Sequence, residues 1–180
     1  MKERLYIFVE GNDDELFFKT IIVPLFKKIY QIVEIIKFAQ MKKIKVENFI
    51  FSINTLKFDY LLFADIDYHK SVHQKKIYIQ ERFTNINLEL VYIVIKEIES
   101  WYFAGLSDEL SRDFGILPMK NTNDLVKEQF NLLYHHRFKS RIDFMIEILK
   151  NYSIEIAKKK NDSFNSVSYT HLTLPTIYSV

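Results

Sequence analysis

The sequence predicts an α/β protein in which a mostly parallel sheet is flanked by helices. Three apolar runs of strand length, at residues 4–9, 59–65 and 88–95, are separated by stretches with helical spacing. The middle run contains LLFA at residues 61–64, which is typical of a central parallel strand buried on both faces. Strands that alternate with helices favour a parallel sheet, because each crossover between parallel strands needs a connection of helix length.

The first strand, at residues 4–9, is dense in aromatic and β-branched side chains and ends at a glutamate and a glycine. A helix begins at once, with Asn12 or Asp13 as its predicted cap and apolar residues at helical spacing after it. The remaining predicted elements are a strand at residues 31–38, a helix at 41–56, strands at 59–65 and 88–95, and helices from Ser107 onward.

Composition limits the possible functions. The chain has 180 residues, of which 48% are hydrophobic, enough for one sizeable core. It has no cysteine, which excludes disulfides, thiolate metal sites and cysteine nucleophiles, and fits a reducing cytosol. Its 25 basic and 23 acidic residues nearly cancel, so the overall charge does not indicate a partner. With three glycines and no apolar run of membrane-spanning length, we expect no Gly-rich phosphate loop, no membrane partner and a cytoplasmic location.

Two aspartates follow the central strand. Asp65 and Asp67 stand at its carboxyl end, where open parallel sheets place their ligands. Residues two apart in an extended chain point to the same side, so both carboxylates can reach one point. Like charges that close repel unless a cation lies between them, and carboxylate oxygens suit Mg²⁺ or Mn²⁺ better than Zn²⁺. The pair fits loop-capping aspartates equally well, so other segments must decide.

Acidic residues also follow the other two runs. Glu10 ends the first strand in the same relative place as Asp65. Asp14 lies one helical turn further on, where it could lean back toward the same site, and helix capping is the competing explanation for the acids at this helix start. Glu99 follows the third run, so that each of the three apolar runs at 4–9, 59–65 and 88–95 is followed by carboxylates.

Two basic stretches accompany the acidic residues. YHKSVHQKK at residues 68–76 places lysines beside the aspartate pair, as a phosphodiester substrate would require, although a solvated helix face explains them at least as well. HHRFKSR at residues 135–141 is the densest basic stretch, and it either binds phosphate or marks a helix boundary. Its adjacent histidines diverge by about 100° on a helix, so we interpret them as ordinary rather than as metal ligands.

Three segments, at residues 8–18, 63–67 and 95–105, resemble parts of the TOPRIM domain. The first two match its pattern of a glutamate after one strand and Asp-x-Asp after a later one, and the third is similar to a segment of small TOPRIM-like families. The likeness is greatest to the TOPRIM domains of overcoming-lysogenization-defect (OLD) nucleases and related stand-alone proteins. It covers residues 4–105 and implies a TOPRIM-like α/β domain at 1–105 with a small helical extension at 106–166. The segments are FVEGNDDELFF at 8–18, FADID at 63–67 and IKEIESWYFAG at 95–105.

The resemblance implies a Mg²⁺-dependent nuclease that cleaves phosphodiester bonds of DNA or RNA, in phage defence or DNA repair. Since the chain carries no ATPase motif, an ATPase would have to act as a partner in trans. The catalytic residues would be Glu10, Asp65, Asp67 and Lys139, the last as the basic residue near the scissile phosphate. The ligands of Mg²⁺ or Mn²⁺ would be Glu10, Asp14, Asp65, Asp67 and Glu99.

Two other functions compete with a nuclease. A TOPRIM-like fold can serve as a non-catalytic binding or regulatory module, because a fold does not determine a function. A haloacid-dehalogenase-like phosphatase also carries Asp-x-Asp after a buried strand, with the first aspartate as nucleophile. Such a site would need a small or hydroxyl residue where His69 stands, and it would leave Glu10 unexplained.

The end of the chain has a different character. VSYTHLTLPT at residues 167–176 back-translates to GTCTCTTATACACATCTGACGCTGCCGACG, which resembles a transposase-based sequencing-library adapter. We therefore expect the native sequence to stop near Ser166 and residues 167–180 to be an adapter-derived artefact that packs poorly.

Overall fold

A computed structural model describes residues 1–133 and 137–168. The chain forms two compact units, of which the first is Met1–Ile98 and the second begins at Glu99. The predicted limits of 1–105 and 106–166 stay a prediction, because compactness alone does not show which segment folds independently.

The first unit is a parallel sheet with helices packed on it. Its strands lie in the order β2-β1-β3-β4, and every neighbouring pair is parallel. The predicted fold class, an α/β structure with a parallel sheet flanked by helices, is confirmed. The elements in chain order are β1 (Lys2–Val9), α1 (Asn12–Phe17), a π-helical turn (Phe18–Ile22), α2 (Val23–Phe26), β2 (Tyr30–Lys37), α3 (Lys43–Leu56), β3 (Asp59–Asp65), α4 (Val72–Arg82), a 3₁₀ turn (Leu88–Leu90) and β4 (Val91–Val94).

The strand order places a topological switch point between β1 and β3. From β1 the chain goes to β2 on one side of it and then to β3 on the other side. Phe8 near the end of β1 pairs with Leu62 of β3, so the two strands end side by side. Open parallel sheets bind their ligands outside the carboxyl ends of strands at such a point, because the crossovers leave a crevice there.

Side chains on both faces of the sheet are buried. Phe8 belongs to a core that includes Ile50 of α3 and Ile79 of α4. On the opposite face Phe63 of β3 packs against Phe18, with the ring centroids 4.6 Å apart. Each buried phenylalanine of this kind stabilises the fold by about 1.5–3 kcal/mol relative to an exposed one, and together they fix the position of the strand ends.

The predicted strand at residues 88–95 is wrong at its start. The strand begins at Val91, because Leu88–Leu90 forms a 3₁₀ turn. The Glu89 amide donates a hydrogen bond to the Asn87 side chain at 3.0 Å, which stabilises the turn at the expense of an extended chain.

In the second unit, all of the elements that the structure describes are helices. Aromatic side chains form its core: the Phe144 ring lies 5.3 Å from Phe130 and 4.7 Å from Phe138, measured between centroids. Of the predicted adapter-derived stretch, Val167 and Ser168 are described and buried, and residues 169–180 lie outside the described residues. The helices are α5 (Glu99–Ala104), α6 (Asp108–Asp113), α7 (Lys127–Leu133), α8 (Arg141–Lys150), α9 (Ile154–Lys160) and α10 (Asp162–Val167).

Within residues 1–133 and 137–168, no helix combines the length and the apolar character that crossing a membrane requires.

Candidate functional site

Glu10 and Asp65 meet across the switch point. Glu10 directly follows β1, and Asp65 is the last residue of β3. The backbone amide of Asp65 donates a hydrogen bond to Oε1 of Glu10 at 3.2 Å, and the Asp65 carboxylate has a buried oxygen, Oδ1. The structure therefore brings together two of the residues that the sequence places at the carboxyl ends of separate strands.

The environment of Glu10 disfavours its charged form. Burial raises the pKa of the Glu10 carboxyl group above its usual value, because desolvation costs more for the carboxylate than for the neutral acid. The ammonium group of Lys75 lowers the pKa in part, and the negative charge of Asp67 raises it again. The amide of Asp65 and the charge of Arg82 oppose the rise more weakly. Glu10 therefore retains a proton at a higher pH than an exposed glutamate does.

Asp67 binds a buried lysine. Its Oδ2 accepts a hydrogen bond from Nζ of Lys75, whose side chain is only 4% exposed whereas that of Asp67 is 44% exposed. Lys75 lies in the first turns of α4, which Ser71 caps by accepting a hydrogen bond from the Gln74 amide at 3.2 Å. The Lys75 ammonium also lies 5.8 Å from the centroid of the Tyr78 ring. One cation of the protein itself thus compensates part of the negative charge at this edge of the sheet.

The backbone at this edge is locally strained. Asp67 has a φ of 51°, and Lys96, just beyond β4, has a φ of 64°. Both values lie in the left-handed region, which aspartate tolerates better than most residues and lysine does not. Such conformations cost about 1–3 kcal/mol each and are concentrated at ligand sites, so they agree with a functional edge.

Asp14 caps helix α1. Its Oδ2 accepts a hydrogen bond from the Gly11 amide at 3.0 Å, and the residue is buried. The prediction that Asn12 or Asp13 caps this helix is wrong, since Gly11 is the N-cap and the helix begins at Asn12. Capping accounts for the position of Asp14 without a metal, and its role as a metal ligand stays a prediction.

Glu99 and Lys139 belong to the second unit. Glu99 is buried, and its Oε1 accepts a hydrogen bond from Nη2 of Arg141 at 2.6 Å. Nε of Arg141 donates to Oδ1 of Asn131 at 2.7 Å, and its guanidinium lies 5.3 Å from the Phe130 ring centroid. This ion pair gives Glu99 a structural role, while Lys139 is exposed. The expected roles of Glu99 as a metal ligand and of Lys139 as a catalytic residue stay predictions.

The carboxyl groups of the first unit suit a divalent cation chemically, but they are not arranged around one. Glu10, Asp65 and Asp67 supply the hard oxygen donors that Mg²⁺ and Mn²⁺ prefer. In the part of the chain that the structure describes, no three acidic or histidine side chains converge closely enough to hold a metal ion. Lys75 binds Asp67 at the place where a shared cation would be expected. A cation would therefore have to displace this ammonium group from Asp67.

Lys75 lies beside the aspartate pair, as the sequence predicts, but its burial and its ion pair with Asp67 are not predicted. It was included in the basic stretch at residues 68–76, whose lysines were expected to be solvated or to contact phosphate. A usable signal was its spacing of four residues from Ile79, which is buried and therefore marks the core-facing side of α4. Lys76 is also engaged, because its Nζ donates to the Leu88 carbonyl at 2.9 Å.

A pocket of about 510 Å³ lies in the second unit. Its lining is mainly apolar, and Asp124 is the one ionisable residue among the described residues that line it. Size alone would make it a candidate ligand site, but it lacks the convergent polar groups that chemistry requires. The lining residues are Met119, Asn121, Asp124, Leu125, Gln129, Leu132 and Leu133.

The candidate functional site is therefore the carboxyl edge of β1 and β3, formed by Glu10, Asp65, Asp67 and Lys75. Comparison of the chain with protein-family models, curated proteins and solved structures finds no significant match, so these comparisons do not identify a family.

Proposed function

We propose that the first unit binds Mg²⁺ or Mn²⁺ through Glu10, Asp65 and Asp67 and hydrolyses phosphodiester bonds in DNA or RNA, as the resemblance to TOPRIM nucleases implies. The observation that carries the proposal is the contact between the Asp65 amide and Oε1 of Glu10 across the switch point. It joins the ends of two strands that are distant in sequence at the one edge where an open parallel sheet binds ligands.

The composition of the site supports a metal rather than a purely structural role. Lys75 binds Asp67, and the negative charges of Glu10 and Asp67 repel each other when both groups are ionised. A divalent cation, when bound, would neutralise the remaining charge and stabilise the negative oxygens of a phosphodiester during displacement. Glu10, Asp65 and Asp67 would hold it, and Asp67 would exchange its contact with Lys75 for the cation.

The side chains of the protein would have separate tasks in the hydrolysis. The oxygen of a water molecule forms a new bond to phosphorus and gives up a proton to solvent, the ester bond to the leaving oxygen breaks, and the leaving oxygen takes a proton from solvent. Glu10, as a ligand of the cation, would be in its carboxylate form, because a bound divalent cation offsets the burial that raises its pKa in the metal-free protein. Lys75, once released from Asp67, would contact a phosphate oxygen as a point charge.

A non-catalytic binding module is the second candidate, and the Lys75–Asp67 contact favours it. A carboxylate that is already bound by a buried ammonium is satisfied without a metal. In that case the acidic edge would act in binding a partner, and the site would have no cation affinity. The roles in phage defence or DNA repair and the ATPase partner in trans rest on the resemblance alone.

Thermal unfolding of the full chain during titration with Mn²⁺ and Mg²⁺ tests the proposal. A cation at a hundred times its dissociation constant stabilises the native state by about 2.7 kcal/mol. For a chain of this size that corresponds to a rise of about 5–10 °C in Tm. We expect this rise in the wild type and its loss in both Glu10→Gln and Asp65→Asn, followed by metal-dependent cleavage of labelled DNA or RNA strands by the wild type alone.

Asp59→Asn is the matched control. Asp59 lies at the opposite end of β3, where its Oδ2 accepts hydrogen bonds from Lys2 at 2.9 Å and from Tyr30 at 2.8 Å. The substitution should lower the initial Tm but leave the rise with Mn²⁺ unchanged. Absence of any rise in the wild type would refute metal binding and leave the binding module, while loss of the rise only in Asp65→Asn would favour the phosphatase. Adding Asp14→Asn and Glu99→Gln to the series tests the two further predicted ligands.

A further inference from the structure

Three neighbouring aromatic rings lie beside the candidate site, two of them stacked and the third tilted by 47° to its neighbour. The Tyr68 and His69 rings are stacked with their centroids 4.5 Å apart and their planes inclined by 22°. The His69 ring in turn lies 5.1 Å from the ring of Tyr78 on α4. We call these three residues the ring stack. Tyr68 follows Asp67 in the chain, and the Tyr78 ring lies 5.8 Å from the ammonium group that binds Asp67, so the ring stack adjoins Asp67.

Hydrogen bonds hold the ring stack in place. Nδ1 of His69 lies 3.1 Å from the Ile66 carbonyl oxygen, and because a carbonyl only accepts, this nitrogen is the donor. The His69 amide donates to the same carbonyl at 3.2 Å, and the Lys70 amide donates to Oε1 of Gln74 at 3.1 Å. The loop between β3 and α4 is therefore ordered before any ligand arrives, which lowers the entropic cost of binding.

The outer ring of the stack is open to solvent. Tyr68 is 81% exposed, although one face of its ring lies against His69. The other face of the Tyr68 ring is a flat aromatic surface that is exposed to solvent. Exposed Lys70 and His73 stand next to it and carry the positive charge or hydrogen-bond donors that a phosphate backbone needs. The carboxylate nearest in the chain, Asp67, is engaged with Lys75.

Aromatic rings of this kind bind nucleobases by stacking. Base–aromatic stacking is tolerant of sequence, because every base has a flat π-face. Inside a duplex these faces are covered by neighbouring bases, so a ring that projects from a loop can reach only a base that is unpaired. A ring stack that begins one residue after Asp67, one of the proposed catalytic carboxylates, would hold the strand next to the phosphate that reacts.

We propose that Tyr68, supported by His69 and Tyr78, stacks on an unpaired base, so that the substrate of the site is single-stranded nucleic acid. This inference rests on the proposed function for the choice of a nucleic acid as ligand, but its evidence is the ring stack and not the carboxyl groups.

The test is binding of fluorescently labelled strands of about 12 nucleotides, a length within the usual range of single-strand sites. Fluorescence anisotropy is measured with the full chain in Ca²⁺, which shares the oxygen-ligand preference of Mg²⁺. Each sample is checked on a gel for an intact strand. The probes are a single strand, the same strand with abasic positions, and the corresponding duplex. The proteins are the wild type, Tyr68→Ala, Tyr68→Phe and, as a control for loss of an exposed aromatic side chain, Phe51→Ala on α3, where Phe51 is 59% exposed.

We expect Tyr68→Ala to weaken binding of the single strand by about 5- to 140-fold, the loss of one stacked base. Tyr68→Phe, which retains the ring, and Phe51→Ala should bind within about twofold of the wild type on the same scale. The abasic strand should bind the wild type as weakly as the normal strand binds Tyr68→Ala. Equal affinity of the wild type and Tyr68→Ala for the single strand, or an equal loss for all three probes, would overturn the inference.

The outcome is separable from that of the proposed function. If the wild type shows the metal-dependent rise in Tm and cleaves nucleic acid while Tyr68→Ala binds normally, the ring stack is not a base-binding site and the nuclease proposal stands. If Tyr68→Ala loses single-strand binding while no metal raises the Tm of the wild type, base stacking stands and the metal-dependent activity is refuted.

Discussion

Removing the charge of Asp67 should destabilise the metal-free fold much more than removing the charge of Lys75. The two side chains bind each other, but the lysine is 4% exposed and the aspartate 44% exposed. Asp67→Asn leaves a positive charge inside the protein without its partner, which solvent cannot compensate. Lys75→Met leaves a negative charge that water already reaches, and methionine fills much of the space of the lysine stem.

The magnitudes follow from these exposures. Breaking a buried pair by removing one partner costs about 3–5 kcal/mol, and exposed pairs contribute at most about 1 kcal/mol. We take the lower end, about 3 kcal/mol, for Asp67→Asn, because asparagine can still accept one hydrogen bond from Lys75. It also tolerates the left-handed backbone at this position. For Lys75→Met we take about 1 kcal/mol. In a chain of this size these costs lower Tm by about 6–12 °C and about 2–4 °C.

Thermal unfolding by circular dichroism in the presence of a chelator measures both variants. The double variant should unfold near the Tm of Lys75→Met, because the buried ammonium group that Asp67→Asn alone leaves without its partner is then absent. The reasoning is refuted if Lys75→Met is as destabilising as Asp67→Asn, or if the double variant is less stable than Asp67→Asn.

Two further predictions concern a carboxyl group of the site and a close contact in the second unit. Because the pKa of Glu10 is raised in the folded state, the native protein binds its proton more tightly than the unfolded chain, and this contribution to stability falls as pH rises from the usual value of 4.5 through the folded pKa. Glu10→Gln keeps the acceptor for the amide of Asp65, so it should be more stable than the wild type at neutral pH and lose that advantage in acid. Urea unfolding of both proteins from about pH 4 to pH 8 measures this. A difference in the free energy of unfolding that stays constant over this range would contradict the prediction. Gly105→Ala should lower the free energy of unfolding by about 1–3 kcal/mol in the same assay, because a Cβ atom there would lie 2.3 Å from the Tyr152 ring. Gly115→Asn is the control and should lower it little, because Gly115 has a φ of 76°, which asparagine tolerates, and open space around it.

The strands were predictable where a single physical requirement determined them. β3 has the predicted bounds, Asp59–Asp65, because an uninterrupted apolar run between charged residues can be buried in only one way. β4 was predicted too long, since Leu88 and Leu90 are as apolar as the strand residues that follow. The hydrogen bond to the Asn87 side chain that turns this segment away from the sheet is a local effect that periodicity does not detect.

The candidate site was predictable only in part. The meeting of Glu10 and Asp65 follows from a property of every parallel sheet, that strand ends of the same polarity lie at one edge. The spacing of Lys75 from Ile79 is only a weak signal of its burial, because a lysine on a helix is solvated far more often than it is buried. The choice of Asp14 between capping and ligation was likewise undetermined, since one spacing serves both roles.

The position of β1 inside the sheet has a consequence for folding during synthesis of the protein. Although β1 is the first strand in the chain, it is covered on one side by β2 and on the other by β3. As the chain leaves the ribosome, β1 and β2 can pair first, and the other edge of β1 keeps its backbone groups unpaired until β3 has been made. The amide of Asp65 reaches Glu10 only at that moment. A nascent chain that stops before β3 would therefore expose an unpaired strand edge and lack the contact between Asp65 and Glu10, and the pairing of β3 with β1 would remove both defects.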